Sequence, residues 1–185
     1  MKIYFETNRL ILQSLNTSHS EMYYDFLMRN AEFFKKWSPK YDNGYFDKGY
    51  HKKNLEGIEN ETREGRIVKF GVLLKNDPSR IISMVELSNI IKGPFLSCFL
   101  GYMTDEKENS RGYTTEAIKK VIDYGFNEIK LHRIEANIIP YNAASIRVVE
   151  KLGFCLEGYS RNYLQINGKW EDHLHYVMLN NSLAL

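Results

Sequence analysis

A short polar loop in the middle of the sequence has the residue types of an anion-binding site. It runs from Asn109 to Thr114 and contains Ser110, Arg111 and Gly112. The aromatic and apolar residues before the loop predict a strand, and the apolar residues after it recur at helical spacing. The first turn of a helix has backbone N–H groups without intrahelical partners, and these groups attract anions such as phosphate together with the helix dipole. Because Arg111 adds a full positive charge, the loop is predicted to hold a phosphate group.

The composition of the chain is that of an ordinary globular domain. The 185 residues are 43% hydrophobic and 26% charged, which is enough for one compact domain with a substantial core. The net charge is only +2, so it does not indicate a nucleic acid or a membrane surface as a partner. The first residues lack the pattern of a signal peptide, and no apolar run approaches the length of a membrane span. We therefore expect a cytoplasmic protein.

The cysteines and histidines do not predict a metal site. Cys98 and Cys155 are predicted to be two buried, free thiols of a reducing compartment. His173 and His175 alternate on a predicted strand and would share one face. No carboxylate or cysteine joins them at the spacing of a metal ligand, so zinc is rejected.

Periodicity and turn residues predict a mixture of strands and helices in a single domain, 1–185. Strands are predicted at 8–15, 67–74, 81–88, 98–103 and 133–139, followed by a hairpin from 154 to 179 that turns at Asn167-Gly168. Helices are predicted after a cap at Thr17 or Ser18, at 31–36, at 51–63, from the phosphate loop to about 130, and from the Asn142 cap to the Gly153 stop. Residues 37–50 are rich in aromatics and are predicted to form an ordered loop. The order of elements indicates the α+β class, with a mixed, mostly antiparallel sheet and helices on both faces.

This order of elements, with a phosphate loop between the fourth strand and the next helix, resembles the GNAT superfamily of acetyl-CoA-dependent N-acetyltransferases. Within that superfamily the chain looks like the branch that acetylates the N-terminal alanine or serine of ribosomal proteins. The motifs that carry the resemblance include Asn8-Arg9-Leu10-Ile11-Leu12, Trp37-Ser38-Pro39, His132-Arg133-Ile134-Glu135-Ala136-Asn137, Pro140-Tyr141-Asn142, Leu152-Gly153-Phe154 and Asn167-Gly168-Lys169-Trp170. The resemblance implies a splay between the fourth and fifth strands, acetyl-CoA as the cosubstrate, and no metal.

The resemblance also implies which residues contact the coenzyme. The family motif is Gln or Arg, two residues, Gly, one residue, and then Gly or Ala. Here Gly112 is kept, while Asn109 is shorter and Thr114 larger than the family expects, and Ser110 stands where glycine is frequent. Because such contacts are mostly backbone N–H groups to pyrophosphate, binding is expected to persist. The positions assigned to the coenzyme are Tyr102, Met103, Asn109, Ser110, Arg111, Gly112, Tyr113, Thr114, Asn142 and Ser145.

The implied reaction is direct attack of a neutral primary amine on the thioester carbonyl, with the coenzyme A thiolate leaving. The amine must lose a proton, the oxyanion needs a hydrogen-bond donor, and the thiolate accepts a proton. Glu86 and Glu135, on strands at either side of the predicted gap, are two candidate bases, and each could equally be an ion-paired strand residue. Ser145, Tyr102 and Tyr141 are the candidate acids.

The predicted acceptor is the α-amino group of a protein N-terminus, and the resemblance implies a ribosomal protein as that acceptor. An α-amino group, with a pKa of about 7.7–8.0, loses its proton more easily than a lysine side chain at ~10.4. Two alternatives stay open: a small-amine acetyltransferase, and a non-catalytic coenzyme A-binding module suggested by Asn109 and Thr114. No membrane or nucleic-acid partner is expected, and the protein is predicted to be a monomer or a homodimer.

Overall fold

A computed structural model of the protein describes residues 2–183. The strands are β1 (Tyr4–Glu6), β2 (Leu10–Ser14), β3 (Val68–Leu74), β4 (Ser83–Ile91), β5 (Ser97–Thr104), β6 (Arg133–Ile138), β7 (Cys155–Ile166) and β8 (Lys169–Leu179). They form one sheet in the order β1-β2-β3-β4-β5-β6-β8-β7. All neighbours are antiparallel except β5 and β6, which run parallel. The predicted fold class is confirmed; the predicted domain bounds, 1–185, extend past the described residues by Met1 and 184–185.

Helices cover the two faces of this sheet and enclose two separate hydrophobic clusters. The helices are α1 (Ser20–Arg29), α2 (Ala31–Phe34), α3 (Lys48–Arg63), α4 (Tyr113–Asn127) and α5 (Ala143–Leu152). Phe26 of α1 and Leu55 of α3 belong to the cluster that contains Met84, whereas Ile118 of α4 belongs to the cluster that contains Val85. Met84 and Val85 are consecutive in β4, and consecutive strand residues point to opposite faces. None of the helices in residues 2–183 is both long and apolar enough to cross a membrane.

The parallel pair is where the sheet opens. β5 and β6 are paired only from Ser97 to Phe99 on β5, opposite Arg133 to Glu135 on β6. β5 continues to Thr104 without a strand partner on that side. This is the predicted splay, and the strands that were predicted as the fourth and fifth are β5 and β6 because β1 was not predicted. A three-residue, largely exposed edge strand carries too short a pattern to be recognised.

Two helices begin at other residues than predicted. Asn16, and not Thr17 or Ser18, is the first cap: its side chain accepts a hydrogen bond from the Ser18 N–H at 2.9 Å, and a 3-10 turn precedes α1. The third helix begins at Lys48 and not at residue 51, because the Asp47 carboxylate accepts the Tyr50 N–H at 2.8 Å. In both places a side chain just upstream captures a free N–H group of the first turn.

The cap, stop and turn residues predicted in the last third of the chain are confirmed. Asn142 accepts the Ser145 N–H at 3.2 Å and so caps α5, and Gly153 ends that helix with φ of +94°. Asn167 and Gly168 have φ of +46° and +83°, as a tight hairpin turn between β7 and β8 requires.

The prediction for the cysteines is half wrong. Cys98 is buried on β5, and burial raises the pKa of its thiol to about 12. Cys155 is exposed. Its strand, β7, is the edge of the sheet, so an apolar-looking sequence context there does not imply burial.

Candidate active site

A cavity of about 830 Å³ lies at the splay and is the size of a small-molecule site. One part, here called the Glu86 half, is lined by Phe33, Phe34, Trp37, Lys69, Met84 and Glu86. The other part, here called the loop half, is lined by Asn109, Ser110, Gly112, Thr114, Thr115, Asn142, Ser145 and the α5 residues Ala144, Arg147, Val148 and Lys151. Gly101 to Thr104 of β5 lie between the two. Because Met84 and α4 are on opposite faces of the sheet, the cavity passes through the sheet at the gap.

The loop half contains the predicted phosphate loop, and its backbone has the conformation of an anion site. Ser110 and Gly112 both have positive φ, +63° and +78°. Gly112 is the N-cap of α4 and supplies no side-chain hydrogen bond to the first turn. The N–H groups of that turn are therefore left for a ligand, in a backbone shape that points successive donors to one side. Positive φ at Ser110 also explains why glycine is suited to that position.

The two unusual residues of the loop have local partners that preserve its shape. The Asn109 amide donates to the Glu106 carbonyl at 3.2 Å and closes the 3-10 turn that precedes the loop. The Thr114 hydroxyl is hydrogen-bonded to the Thr104 hydroxyl, 2.6 Å away at the end of β5. Both side chains therefore tie the loop to its neighbours while its backbone stays open to the cavity.

Buried ion pairs anchor the segment that leads into the loop. Arg29 of α1 and Arg80 contact the buried Asp105 carboxylate at 2.7 and 3.1 Å. Arg80 also binds the buried Glu108 at 2.5 Å, and Arg111 contacts the same carboxylate at 3.3 Å. Burial by itself would raise the pKa of Asp105, but hydrogen bonds from Arg29 and the Lys107 N–H lower it overall. The predicted cation Arg111 is thus paired with Glu108, and neither Arg111 nor Tyr113 lines the cavity.

Arg9, which sequence reasoning quoted only as part of a motif, holds the loop from the β1–β2 side. Its Nε donates to Glu116 Oε2 at 2.7 Å, and its Nη1 donates to the Arg111 carbonyl at 3.0 Å. The guanidinium lies over the Tyr113 ring, 4.6 Å from its centroid. The Glu116 carboxylate also accepts the Thr7 hydroxyl at 2.6 Å. Arg9 therefore neutralises a carboxylate in the first turn of α4 that would otherwise repel a bound anion.

Replacing Arg9 is expected to weaken binding of an anionic ligand in the loop half without disturbing the fold. In Arg9→Ala the charge-assisted bonds to Glu116 and to the Arg111 carbonyl are lost, and such bonds are worth about 1.5–3 kcal/mol each in protected settings. Because Arg9 is half-exposed, we expect roughly a tenfold rise in the dissociation constant for coenzyme A, measured by calorimetry. Arg63→Ala, at an exposed arginine near the end of α3, is the matched control. Equal affinities for the two variants would contradict the role of Arg9.

The two walls of the gap are joined by predicted site residues. The Tyr102 hydroxyl of β5 donates to the Ser145 carbonyl of α5 at 3.1 Å. Burial raises the pKa of Tyr102 to about 12, so the phenol is protonated at neutral pH. Beyond Phe99, alternate residues of β5 turn their N–H and C=O groups toward the open edge. Tyr102, Met103, Asn142 and Ser145 all line the cavity beside that edge.

Glu86 lies inside the cavity. Its side chain faces Gly101 across the β4–β5 pairing, where an added Cβ would meet the Glu86 Oε1 at 3.2 Å. The absence of a side chain at Gly101 gives the carboxylate its place at the splay. Lys69 of β3 contacts the same carboxylate at 2.7 Å. Sequence reasoning missed Lys69, and only its register opposite Glu86 brings the two together.

Glu135 lies elsewhere. It is absent from the cavity lining and is held by the Arg133 guanidinium at 3.0 Å and by His175 Nδ1 at 2.9 Å. Burial would raise the pKa of Glu135, but the hydrogen bonds from His175 and Arg133 and the charge of Arg133 bring it below its ordinary value. The other nitrogen of His175 is 2.8 Å from the Ser160 hydroxyl. Of the two candidate bases, the structure brings only Glu86 to the cavity.

The loop after α2 closes the Glu86 half toward the terminal hairpin. The Asn167 N–H donates to the Ser38 carbonyl at 2.8 Å, and the Trp37 and Tyr141 rings are 5.8 Å apart. Tyr141, a candidate acid, is 60% exposed beside this closure and does not line the cavity. The cavity is therefore bounded by two segments that are far apart in the sequence.

The class of protein is shown by comparison with known proteins. Residues 9–155 match the family described as the Acetyltransferase (GNAT) domain. The chain belongs to the GNAT family of N-acetyltransferases, and its reaction class is acetyl transfer. The predicted family and enzyme class are confirmed.

The relatives within this family include proteins that modify ribosomal proteins. The chain is 32% identical over 173 residues to the ribosomal protein uS5 alanine N-acetyltransferase of Escherichia coli strain K12, covering 94% of this chain and 89% of that protein. The ribosomal-protein-S5-alanine acetyltransferase from Vibrio fischeri superposes with a TM-score of 0.92 at 31% identity, over 99% of this chain and 100% of that one. Mycobacterium smegmatis RimJ in complex with CoA-disulfide superposes with a TM-score of 0.87 at 23% identity, over 95% of this chain and 84% of that one.

Proposed function

We propose that the protein transfers the acetyl group of acetyl-CoA to the N-terminal α-amino group of a protein, with a ribosomal protein as the acceptor class. One observation carries the proposal: a single cavity at the splay is lined both by residues of the phosphate loop and by the Glu86 carboxylate. The printed activities of the Escherichia coli and Vibrio fischeri relatives support the acceptor class. A ribosomal acceptor would place the enzyme in the cytoplasm.

The residues of the loop half fit the coenzyme portion of acetyl-CoA. The free N–H groups after Gly112 suit the pyrophosphate, and the cationic Arg147 and Lys151 on α5 suit further phosphate charge. Asn142 and Ser145 lie on the way to the gap and would face the pantetheine arm. The Mycobacterium smegmatis neighbour, which has the same fold, is in complex with CoA-disulfide, and this supports coenzyme A as the ligand.

The reacting atoms would meet at the gap between the two halves. The amine nitrogen bonds to the thioester carbonyl carbon, the C–S bond breaks, and the electron pair leaves with sulfur as the thiolate. Glu86 accepts the amine proton, directly or through a water, while β5 N–H groups near Tyr102 and Met103 stabilise the oxyanion. Tyr102 and Ser145 are the groups near the gap that could return a proton to the thiolate.

The experiment combines coenzyme binding with acceptor choice. We expect acetyl-CoA to bind with micromolar or better affinity in calorimetry, and a peptide with an N-terminal alanine to be acetylated on its α-amino group, located by mass spectrometry. Spermidine is assayed in parallel. Absence of acetyl-CoA binding would contradict any catalytic role, and acetylation of spermidine without acetylation of peptide would favour the small-amine alternative.

A further inference from the structure

Lys69 places a positive charge beside the proposed base. Lys69 and Glu86 are direct partners in the β3–β4 register, and their Nζ and Oε2 atoms are 2.7 Å apart. Both side chains are mostly buried, 18% and 28% exposed. Burial lowers the pKa of Lys69, but the charge of Glu86, the neighbouring Tyr23 and the hydrogen bond to Glu86 together outweigh burial, and the net shift is upward. Lys69 is therefore charged at neutral pH, and the pair as a whole is neutral.

The other charges of the cavity are also positive. Glu86 is the only carboxylate among the described residues that line it, and the cations are Lys36, Lys69, Arg147 and Lys151. Tyr23 of α1 is a further titratable group near Lys69. An excess of positive charge between low-dielectric walls attracts anions and repels cations. In the loop half this suits phosphates, and in the Glu86 half it removes the attraction that an unpaired carboxylate would have for an ammonium group.

We propose that Lys69 is a specificity-determining residue that disfavours acceptors carrying a second positive charge next to the reacting amine. The inference rests on the proposed function and names which amines the same site accepts. An acceptor with one amine reacts as the neutral free base and brings no charge to Lys69. A diamine, or a peptide with lysine as its second residue, keeps a cation that is brought toward Lys69. At an effective dielectric constant of about 20, repulsion between like charges roughly 6–12 Å apart corresponds to roughly tenfold to hundredfold discrimination.

The experiment uses two matched pairs of acceptors. The first pair is two tetrapeptides that begin Ala-Met and Ala-Lys, and the second is pentylamine and 1,5-diaminopentane. For each pair, the ratio of kcat/KM for the neutral and the cationic member is measured in the wild type and in Lys69→Met. Because a change in the basicity of Glu86 alters both members of a pair alike, the ratio isolates the effect of charge in the cleft.

We expect Lys69→Met to lower the preference for the neutral member at least tenfold in every pair that the wild type uses. Lys69→Arg, which keeps the charge, should retain the preference. Lys53→Met, which removes an exposed lysine of α3 outside the cavity, should also leave it unchanged. If Lys69→Met lacks a cooperative melting transition, Lys69→Gln replaces it, since an amide can still hydrogen-bond to Glu86.

The outcomes separate this inference from the proposed function. An unchanged ratio in folded Lys69→Met, or in folded Lys69→Gln where that variant replaces it, would overturn the inference even with lower activity on all acceptors, and would indicate a merely structural lysine. A wild type that acetylates the amines and neither peptide would contradict the proposed acceptor, and the amine pair would still decide the role of Lys69.

Discussion

Replacing Glu86 with glutamine is expected to lower kcat about a hundredfold at pH 7, at the lower end of what a positioned general base contributes. Glutamine has the same shape, so the space beside Gly101 stays filled, but it cannot accept the amine proton. The dissociation constant for acetyl-CoA should change little, because Glu86 lies on β4 and is not part of the phosphate loop. Steady-state kinetics with an N-terminal alanine peptide provide the measurement.

The pH profile distinguishes a lost base from a general disturbance. The α-amino group of a peptide has a pKa of about 7.7–8.0, so the protonated fraction of the acceptor amine is large at pH 6.5 and small at pH 9. The deficit of Glu86→Gln should therefore shrink as the pH rises through 8. A deficit that is the same at all pH values would contradict the role as base.

Glu135→Gln is the comparison variant, because its carboxylate lies outside the cavity. It should keep kcat but lose stability, by about 1–3 kcal/mol for two weakened hydrogen bonds from Arg133 and His175. The folded-state pKa of Glu135 is depressed, so its contribution to stability is present above the unfolded pKa and is lost as the pH falls through the folded value. The difference in melting temperature between this variant and the wild type should accordingly narrow in acid.

Replacing Gly112 with valine is expected to raise the dissociation constant for acetyl-CoA at least a hundredfold. Gly112 has φ of +78°, which a β-branched residue adopts only under strain of order 1–2 kcal/mol. The space at its Cβ position is open apart from Arg9 Nη2 at 3.5 Å, so an added Cβ meets no clash in the protein. The valine side chain would instead stand where the pyrophosphate approaches the backbone. Calorimetry measures the affinity.

Gly93→Val is the matched control for backbone strain. Gly93 lies in the β4–β5 connection with φ of +75°, and nothing lies within 4 Å of its Cβ position. Both variants should lose about 2–8 °C in melting temperature, the shift that 1–2 kcal/mol produces in a domain of this size. Only Gly112→Val should lose coenzyme affinity. Wild-type affinity in a Gly112→Val variant that still melts cooperatively would show that the phosphate cradle lies elsewhere.

Much of the fold could be read from the sequence because the signals are local. The helical spacing after Gly112, the Asn142 cap, the Gly153 stop and the Asn167-Gly168 turn each act on a few neighbouring residues, and each is present in the structure. Prediction failed where a local pattern was weak or absent. β1 is too short to show a period, and exposure of Cys155 depends on which strand forms the sheet edge.

The contacts that define the candidate site join residues that are distant in sequence. Arg9 meets Glu116 across 107 positions, and Tyr102 meets Ser145 across 43. Glu86 and Glu135 were equal candidates because both alternate on strands beside the gap. The neighbours of the two carboxylates make them different. Gly101 leaves room for the Glu86 carboxylate at the gap, whereas the Glu135 carboxylate is bound by Arg133 and His175.

The sequence by itself determined the order of the elements, the phosphate loop around Gly112 and the family resemblance, because periodicity, caps and turn residues act over short stretches of chain. The tertiary structure alone decided that the loop and Glu86 share one cavity, that Lys69 lines it beside Glu86, and that Arg9 holds the loop from outside. The physical reason is that strand register and the early divergence of β5 from β6 set which distant side chains meet. No local pattern in the chain encodes those distances.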